Sequence, residues 1–563
     1  MTRTSFVASL ALATILLGGR QASSAEQFDV ILRGGSVYDG SGLPPVQADV
    51  GVRGDRIAAV GDLSGATARR EVDARGLAVA PGFINMLSWA PSSLLIDGRS
   101  QGDIRQGVTL EVFGEGESFG PYTEGLKREK VRRQGDLQYD ITWDTLGGFL
   151  DTLERRGVSC NVASFVGAAT VRECVVGFDD RDPTPGELDR MRELVDRAMT
   201  EGALGVGSAL IYAPGSYAKT DELVALCEVA ARHGGMYISH LRSEGDRLLE
   251  GLDELIEIAR RAKLPAEVYH LKAVGRSNWP KSDEALAKIE KARADGLRIT
   301  ADVYPYTAGA TGLNAAMPTW VQAGGLDAWI GRLKDPETRA RVVREIEEPA
   351  GGWESLYKAA GSADRVLLAG FKTDKLKPMT GKTLAEAARL RGQSPAETIV
   401  DLVIEDGGRV DAIYFFIDEA NLRKALGRPW VSLGSDEGSF APEGVFLKSN
   451  PHPRAYGSFA RLLGRYARDE AVLSLAEAVR RMTSLPAENL KLDRRGRVAE
   501  GWYADLVAFD PATVADLATY EAPHRYAGGV RTVLVNGVLV LDGGEHTGAK
   551  PGRALRGPGY KAP

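Results

Sequence analysis

A repeated alternation of short apolar segments with amphipathic helical segments most constrains the fold of this chain. Neighbouring parallel strands need long, usually helical crossovers, so the alternation predicts an α/β protein. Eight candidate strands predict a (β/α)8 TIM barrel, with a doubly wound open sheet as the alternative. The barrel is favoured because polar residues collect at the C-terminal ends of the strands. The candidate strands span residues 77–87, 108–114, 160–166, 204–210, 235–240, 266–270, 298–304 and 430–436.

Two flanking regions and one insertion complete the predicted organisation. Residues 26–80 and 492–563 alternate apolar and polar residues with period two, which predicts a β-sandwich domain built from both chain ends. The barrel then occupies residues 81–491. Residues 309–428 are too long for an ordinary connection and carry helical segments, so they predict a lid subdomain over the barrel mouth.

The first 25 residues have the layout of a secretory signal. Arg3 precedes an apolar run from Phe6 to Leu17, and small residues lead up to Ala25. The apolar run is short for a membrane span, so the expectation is signal removal and a periplasmic or secreted protein with no remaining span. A retained interfacial anchor is the alternative.

Composition excludes several function classes. The 70 Lys and Arg residues against 76 Asp and Glu residues give a net charge of 70 − 76 = −6, so a nucleic-acid partner is not expected. Three separated cysteines exclude a disulfide framework and a Cys-rich zinc module, and Cys160 and Cys227 are predicted to be buried thiols. Any metal site must therefore use the six histidines together with carboxylates.

Two histidines stand at the ends of neighbouring candidate strands. His240 ends GGMYISH and His270 ends PAEVYH, so both are predicted to point into the same barrel mouth, as a pair of metal ligands would. Asp436, in VSLGSDEGS after the last strand, is placed to accept a proton from metal-activated water. Its alternative role is to cap an ordinary Gly-Ser-Asp turn.

A catalytic zinc ion usually has three protein ligands, so a third ligand is needed. The segment LEVFGEGESFGP offers Glu115 and Glu117, and Glu115 is the better candidate because it lies next to the strand. A solvated acidic turn is the alternative. The glycines resemble a phosphate-binding loop, but the carboxylates would repel an anion and the full dinucleotide motif is absent.

Several other residues are candidates for substrate recognition. Arg454 can hold a carboxylate with two hydrogen bonds and Lys272 adds a point charge, which suggests a small anionic substrate. Tyr212 lies in ALIYAPG, and Tyr304 and Tyr306 both lie in ADVYPY. Each of these residues has a surface or packing role as its alternative.

From residue 28 to residue 557 the chain resembles the amidohydrolase superfamily, and specifically its D-aminoacylase (N-acyl-D-amino-acid deacylase) family. The resemblance implies a barrel with a β-sandwich and lid, and zinc-dependent hydrolysis of an acyl-amide bond. It rests on the ordered segments APGFI, GALGVGSALIYAPGSYAKTDEL, GGMYISHLRSEG, HLKAVG, ADVYPYTAG, GSDEG, HPRAYGSFARLLGRY, MTSLPAENLKLDRRGRVAEGWYADLVAFDP and VNGV.

The same resemblance assigns roles to individual residues. His240 and His270 match the metal-binding histidines after strands five and six, and Asp436 matches the aspartate that acts as general base. The remaining candidates fall in motifs that hold the substrate carboxylate or polarise the carbonyl, with the choice between the two tyrosines of ADVYPY open. These candidates are Tyr212, Lys272, Tyr304 and Arg454.

The chain also departs from the family pattern at the metal site. Where the family has GFID followed by His-x-His, this chain reads GFINMLSW, so Asn85, Leu87 and Trp89 replace an aspartate and two histidines. Leu and Trp do not bind metals, so a two-metal centre is not expected. The family's strand-two cysteine is also absent, and Glu115 lies nearest its position. One zinc ion held by Glu115, His240 and His270 satisfies the ligand count.

The leading prediction is an exported zinc hydrolase of N-acyl-D-amino acids or similar carboxylated amides. One alternative is a periplasmic binding protein for such compounds that has lost catalysis. A second alternative is a cyclic amide or dipeptide hydrolase of the same superfamily.

Overall fold

The structure is a computed structural model and describes residues 27–349 and 351–562. The predicted signal segment, residues 1–25, lies outside the described residues. Within them, no helix is both long and apolar enough to cross a membrane. The strands are β1 (Gln27–Val37), β2 (Val46–Arg53), β3 (Arg56–Gly61), β4 (Thr67–Asp73), β5 (Ala78–Pro81), β6 (Phe83–Asn85), β7 (Val108–Phe113), β8 (Asn161–Ser164), β9 (Val166–Gly167), β10 (Gly205–Ala209), β11 (Met236–His240), β12 (Ala266–Val268), β13 (Ile299–Val303), β14 (Gly309–Gly312), β15 (Val366–Gly370), β16 (Asp411–Tyr414), β17 (Val431–Leu433), β18 (Leu506–Phe509), β19 (Val530–Val535), β20 (Val538–Asp542) and β21 (Glu545–His546).

The α-helices mostly follow the strands, as a wound α/β protein requires. The longest barrel helix, α6, begins at a capping box formed by Thr184 and Glu187, with Pro185 in its first turn. The helices are α1 (Pro91–Ile96), α2 (Gln101–Ile104), α3 (Glu124–Arg133), α4 (Leu146–Arg156), α5 (Ala168–Val175), α6 (Pro185–Thr200), α7 (Thr220–Arg232), α8 (Leu248–Ala262), α9 (Ser282–Ala294), α10 (Leu326–Lys334), α11 (Pro336–Glu347), α12 (Leu356–Ala360), α13 (Leu384–Arg391), α14 (Pro395–Asp406), α15 (Glu419–Leu426), α16 (Arg454–Arg461), α17 (Leu475–Met482) and α18 (Ser484–Asn489).

The predicted (β/α)8 barrel is confirmed. β6, β7 and β8 pair in parallel, and β9 to β13 with β17 form a second parallel run. The chain passes directly from β8 to β9, so these two short strands together fill one barrel position. At the other junction, the backbone N–H of Met86 donates to the carbonyl of Leu433 at 3.2 Å, which joins the first barrel strand to the last.

Two predicted strands are divided in the structure. The single strand predicted over 77–87 is wrong, because β5 pairs with β18 in a different sheet and only β6 enters the barrel. The break falls at Gly82, where an added Cβ would lie 2.2 Å from the side chain of Thr109. The strand predicted over 160–166 is likewise interrupted at Phe165, whose N–H donates to the carbonyl of Phe113 at 2.8 Å.

A second sheet takes its strands from both ends of the described chain. Its order is β21-β20-β19-β18-β5-β1-β2-β3, with β4 also paired to β1. The antiparallel pairing of β18 with β5 joins the C-terminal strands to the N-terminal ones. The buried faces enclose an apolar core that includes Leu32, Val50, Val79, Leu506 and Leu534.

The segment between β13 and β17 forms its own small subdomain. β14, β16 and β15 make an antiparallel sheet that packs with α10 to α14 around a separate apolar core. That core extends as far as Ile417, whereas Leu422 and Leu426 of α15 belong to the core of the barrel. Within the barrel region, Cys160 and Cys227 are buried free thiols, as predicted.

Candidate metal centre

Three potential ligand atoms converge at the C-terminal end of the barrel. Oε1 of Glu115 lies 3.1 Å from Nδ1 of His240 and 2.8 Å from Nε2 of His270. The same two nitrogens lie 3.0 Å apart. All three residues are buried, with exposed fractions of 5%, 4% and 3%. This triangle of one carboxylate and two imidazoles is a candidate metal site.

Strand ends and two glycines create this convergence. His240 is the last residue of β11 and pairs in register with Ala209 of β10. Glu115 follows β7 between Gly114 and Gly116, whose φ angles are +109° and +68°. An added Cβ would lie 2.5 Å from the carbonyl of Phe165 at Gly114, and 2.6 Å from the Cβ of Ala209 at Gly116. Only glycine fits these two positions, and the turn they form directs Glu115 into the barrel.

The backbone at His270 lies in the left-handed region, with a φ angle of +36°. Non-glycine residues adopt this region at a cost, and such sites are often functional. Oδ1 of Asp302 accepts the N–H of His270 at 3.0 Å, which holds this conformation in place.

The donor set fits a zinc-type ion. Zinc binds His nitrogen and carboxylate oxygen at about 2.0–2.2 Å, which puts tetrahedral ligand atoms about 3.3 Å apart. The observed separations of 2.8–3.1 Å are slightly shorter, so a small outward movement of the side chains accommodates an ion. Nε2 of His240, the ring nitrogen outside the triangle, lies 3.5 Å from Oε2 of Glu244. Three protein ligands would leave a bound zinc ion open to water or substrate.

Glu244 and Lys272 support His270 from behind. Nζ of Lys272 donates to Oε1 of Glu244 at 2.6 Å, and Nδ1 of His270 lies 3.1 Å from the same oxygen. When Nδ1–H of His270 faces this carboxylate, its Nε2 lone pair is directed toward Glu115 and His240. A carboxylate behind a ligating histidine fixes the tautomer and orientation of the ring. Lys272 also donates to the carbonyl of His270 at 3.2 Å.

Asp436 and Arg454 form a buried ion pair at the same mouth. Nη1 of Arg454 lies 2.8 Å from Oδ2 of Asp436, and the exposed fractions of the two residues are 2% and 9%. The backbone N–H of Asp436, which has a φ angle of +53°, donates to the carbonyl of Leu87 at 2.8 Å. Asn85 ties strand one to the same loop, because its Oδ1 accepts the N–H of Ser435 at 2.8 Å.

The tyrosine candidates lie around the ligand cluster. The Tyr212 ring meets the His240 ring edge-on with centroids 5.3 Å apart. The Tyr304 ring is 6.2 Å from that of His270 and lies 4.5 Å below the Arg454 guanidinium. Tyr306 instead donates to Oδ2 of Asp516 at 3.3 Å, so Tyr304 is the tyrosine of ADVYPY beside the site.

Burial and charge oppose each other throughout this site. Burial acts to raise the pKa of Glu115, but His270 and His240 hold it well below its ordinary range. Burial and Lys272 act to lower the pKa of His270, but Glu244 and Glu115 raise it to about 10. Burial raises the pKa of Asp436, although the charge of Arg454 opposes this.

The structure separates Glu115 from the other carboxylate that the sequence offered. Glu117 pairs with Nζ of Lys130 at 2.6 Å and takes no part in the ligand triangle. Lys272 and Arg454 lie at the mouth as predicted for substrate binding, but each already pairs with a protein carboxylate. Their role in holding a substrate carboxylate stays a prediction.

Sequence reasoning missed Glu244, Asp302 and the role of Trp89. Glu244 lies four residues after His240, and that spacing within SHLRSEG was the available signal. Asp302 precedes Tyr304 by two residues, and side chains two residues apart along an extended strand point to the same side. Trp89 Nε1 donates to Oε2 of Glu115 at 2.9 Å, a contact that no sequence pattern predicts.

Comparison with known proteins identifies relatives over nearly the whole chain. The amidohydrolase family profile matches residues 165–541. The chain is 35% identical over 541 residues to the D-aminoacylase of Alcaligenes xylosoxydans xylosoxydans, covering 95% of this chain and 98% of that protein.

Solved structures give the same result. A D-aminoacylase with a binuclear metal centre, described as activated by one metal and attenuated by the second, superposes with a TM-score of 0.78. It is 35% identical, and the match covers 94% of this chain and 100% of that chain. The N-acyl-D-glutamate deacylase of Bordetella bronchiseptica, solved with zinc and a phosphonate mimic of the tetrahedral intermediate, has a TM-score of 0.79 at 30% identity, with coverage of 94% and 100%.

Proposed function

This chain belongs to the amidohydrolase family, and from that premise we propose that it hydrolyses the amide bond of N-acyl-D-amino acids. The products are a carboxylate and a D-amino acid. The observation that carries the proposal is the convergence of Glu115, His240 and His270 at the barrel mouth. Three relatives whose alignments cover at least 94% of this chain, at 33–35% identity, are named D-aminoacylase, N-acyl-D-glutamate deacylase and N-acyl-D-aspartate deacylase.

We further propose that the centre holds one zinc ion. Glu115, His240 and His270 would be its ligands, and the side chains of Leu87 and Trp89 offer no lone pair for a second ion. When bound, the ion supplies a Lewis acid that polarises the amide carbonyl and makes water more acidic. One active ion is consistent with the one-metal activation described for the D-aminoacylase relative.

The protein's own residues would manage the protons. Asp436 accepts a proton from the attacking water while the oxygen of that water forms a bond to the carbonyl carbon. Asp436 then transfers that proton to the amide nitrogen as the C–N bond breaks, so no other acid is required. Arg454 pairs with Asp436 and packs on Tyr304, and this fixes the orientation of the carboxylate before substrate binds.

We also propose that the protein is exported, on the basis of its first 25 residues. Expression of the full chain and N-terminal sequencing of the product test this. Cleavage after Ala25 is expected, and an uncleaved chain retained in the cytosol would contradict export.

A substrate panel with metal analysis tests the proposed reaction. Purified protein is assayed with N-acyl-D-amino acids, their L-isomers, cyclic imides, and an N-acyl amine that lacks the carboxylate. We expect one bound zinc per chain and turnover of the N-acyl-D-amino acids, with loss of turnover when the carboxylate is absent. Absence of bound zinc, with no activation by added zinc, cobalt or manganese, would instead favour a binding protein.

A further inference from the structure

The two oxygens of Glu115 have different partners. Oε1 lies within 3.1 Å of both ligand nitrogens, whereas Oε2 accepts a hydrogen bond from Nε1 of Trp89 at 2.9 Å. Glu115 is 5% exposed, so neither oxygen is freely solvated. The carboxylate is thus held at both ends, with one oxygen presented to the ion site and the other occupied by an indole N–H.

The position of Trp89 is itself fixed by the barrel. Its backbone N–H donates to the carbonyl of Glu437 at 2.9 Å, and the adjacent Ser88 forms a parallel bridge with Glu437. The residue is 41% exposed, so the indole lies at the rim of the mouth while its N–H points inward. The ring of Trp89 is thus partly solvent-exposed while its polar atom bonds to a buried carboxylate.

We propose that Trp89 is a positioning residue for the metal centre. Its hydrogen bond to Oε2 restricts Glu115 to binding the ion through Oε1 alone. This inference rests on the metal centre of the proposed function. An indole nitrogen is a donor without a lone pair, so it cannot bind the ion itself. It restrains the carboxylate instead: with Oε2 bonded to the N–H, rotation of Glu115 to a two-oxygen mode would break that bond.

Loss of such an outer contact usually weakens metal affinity by about 10–100-fold. The expected magnitude for Trp89→Phe is in this range, because phenylalanine keeps an aromatic ring at the rim and removes only the donor. Because the Trp89 side chain is partly exposed, we expect the variant to fold. Circular dichroism and the melting temperature of the variant check this.

The test measures zinc affinity by competition with a chromophoric chelator, using the mature protein. The matched control is Trp320→Phe, because Nε1 of Trp320 donates to Oε2 of Glu345 at 2.9 Å within the lid and away from the ligands. We expect Trp89→Phe to bind one zinc about 10–100-fold more weakly, and Trp320→Phe to bind as the unmodified protein does.

Cobalt gives a further readout. The visible spectrum of bound cobalt should change in Trp89→Phe, because Glu115 is released to a different coordination mode.

A zinc affinity and a cobalt spectrum in Trp89→Phe equal to those of the unmodified protein would overturn this inference while leaving the one-ion centre intact. Absence of metal binding in the unmodified protein would overturn the proposed centre, and the inference with it. The two failures are therefore distinguished by the unmodified protein alone.

Discussion

Glutamine has nearly the same shape as glutamate. The substitution Glu267→Gln therefore removes an ionisable group from the barrel interior while keeping the shape of the side chain. Glu267 lies on β12, three residues before His270, and is fully buried. Its Oε2 accepts hydrogen bonds from Thr300 at 2.6 Å and Asn489 at 3.1 Å, and its Oε1 accepts one from Ser432 at 3.3 Å. A glutamine can keep the bonds to its carbonyl and direct its amide toward the Ser432 hydroxyl.

The expected gain follows from the pKa of Glu267. Burial raises this pKa from 4.5 to about 7, despite the opposing hydrogen bonds from Thr300, Ser432 and Asn489. The folded state therefore binds the proton more tightly than the unfolded state, so stability falls as pH rises from about 4.5 to about 7 and is level above that. At about 1.4 kcal/mol per pH unit, the loss is on the order of 3 kcal/mol at pH 8.

Glutamine does not titrate, so Glu267→Gln should escape this loss. We expect the variant to be more stable than the unmodified protein by about 3 kcal/mol at pH 8 and by less than about 1 kcal/mol at pH 5. With an unfolding entropy of about 2.1 cal/mol/K per residue, the gain at pH 8 corresponds to roughly 3 °C in melting temperature.

Scanning calorimetry at one fixed scan rate measures this, with a chelator present so that metal binding does not contribute. The control is Glu500→Gln at an exposed position, which should shift the melting temperature little at either pH. A melting-temperature difference for Glu267→Gln that is the same at pH 5 and pH 8 would refute the reasoning, because a pH-independent effect reflects packing rather than ionisation.

Two further predictions concern the site. Asp436→Asn should lower turnover by roughly 10²–10⁴-fold with one zinc still bound, because the proton acceptor is lost; full turnover with zinc bound would exclude that role. Glu244→Gln should weaken zinc binding by about 10–100-fold, because His270 and Lys272 lose their shared carboxylate. Chelator competition measures this against Glu250→Gln, an exposed control on α8, and unchanged affinity in Glu244→Gln would contradict the supporting role.

The barrel could be predicted from sequence because its signal is repeated eight times along the chain. The spacing of apolar residues indicates which segments are buried strands or helices, and the polar residues at the strand ends indicate the direction in which the strands run. The division of the first predicted strand at Gly82 could not be read in this way. It depends on the close approach of Thr109, a contact between segments separated in sequence.

The same limit applies to the site. His240 and His270 could be placed because each terminates its own apolar segment. The place of Glu115 next to the strand favours it over Glu117, but the turn made by Gly114 and Gly116 and the pairing of Glu117 with Lys130 are visible only in the structure. The hydrogen bond from Trp89 to Glu115 depends on side-chain orientation across two loops, which a single sequence does not encode in any local pattern.

The junction between the first and last barrel strands also affects how the enzyme loses activity on heating. Asp436 depends on this junction, because its N–H bonds to Leu87 and the neighbouring Ser435 bonds to Asn85. His240 and His270 are anchored elsewhere in the wall, on β11 and after β12. Local opening of the junction would misplace the proposed proton acceptor while His240 and His270 stay in place. We therefore expect thermal inactivation to precede global unfolding.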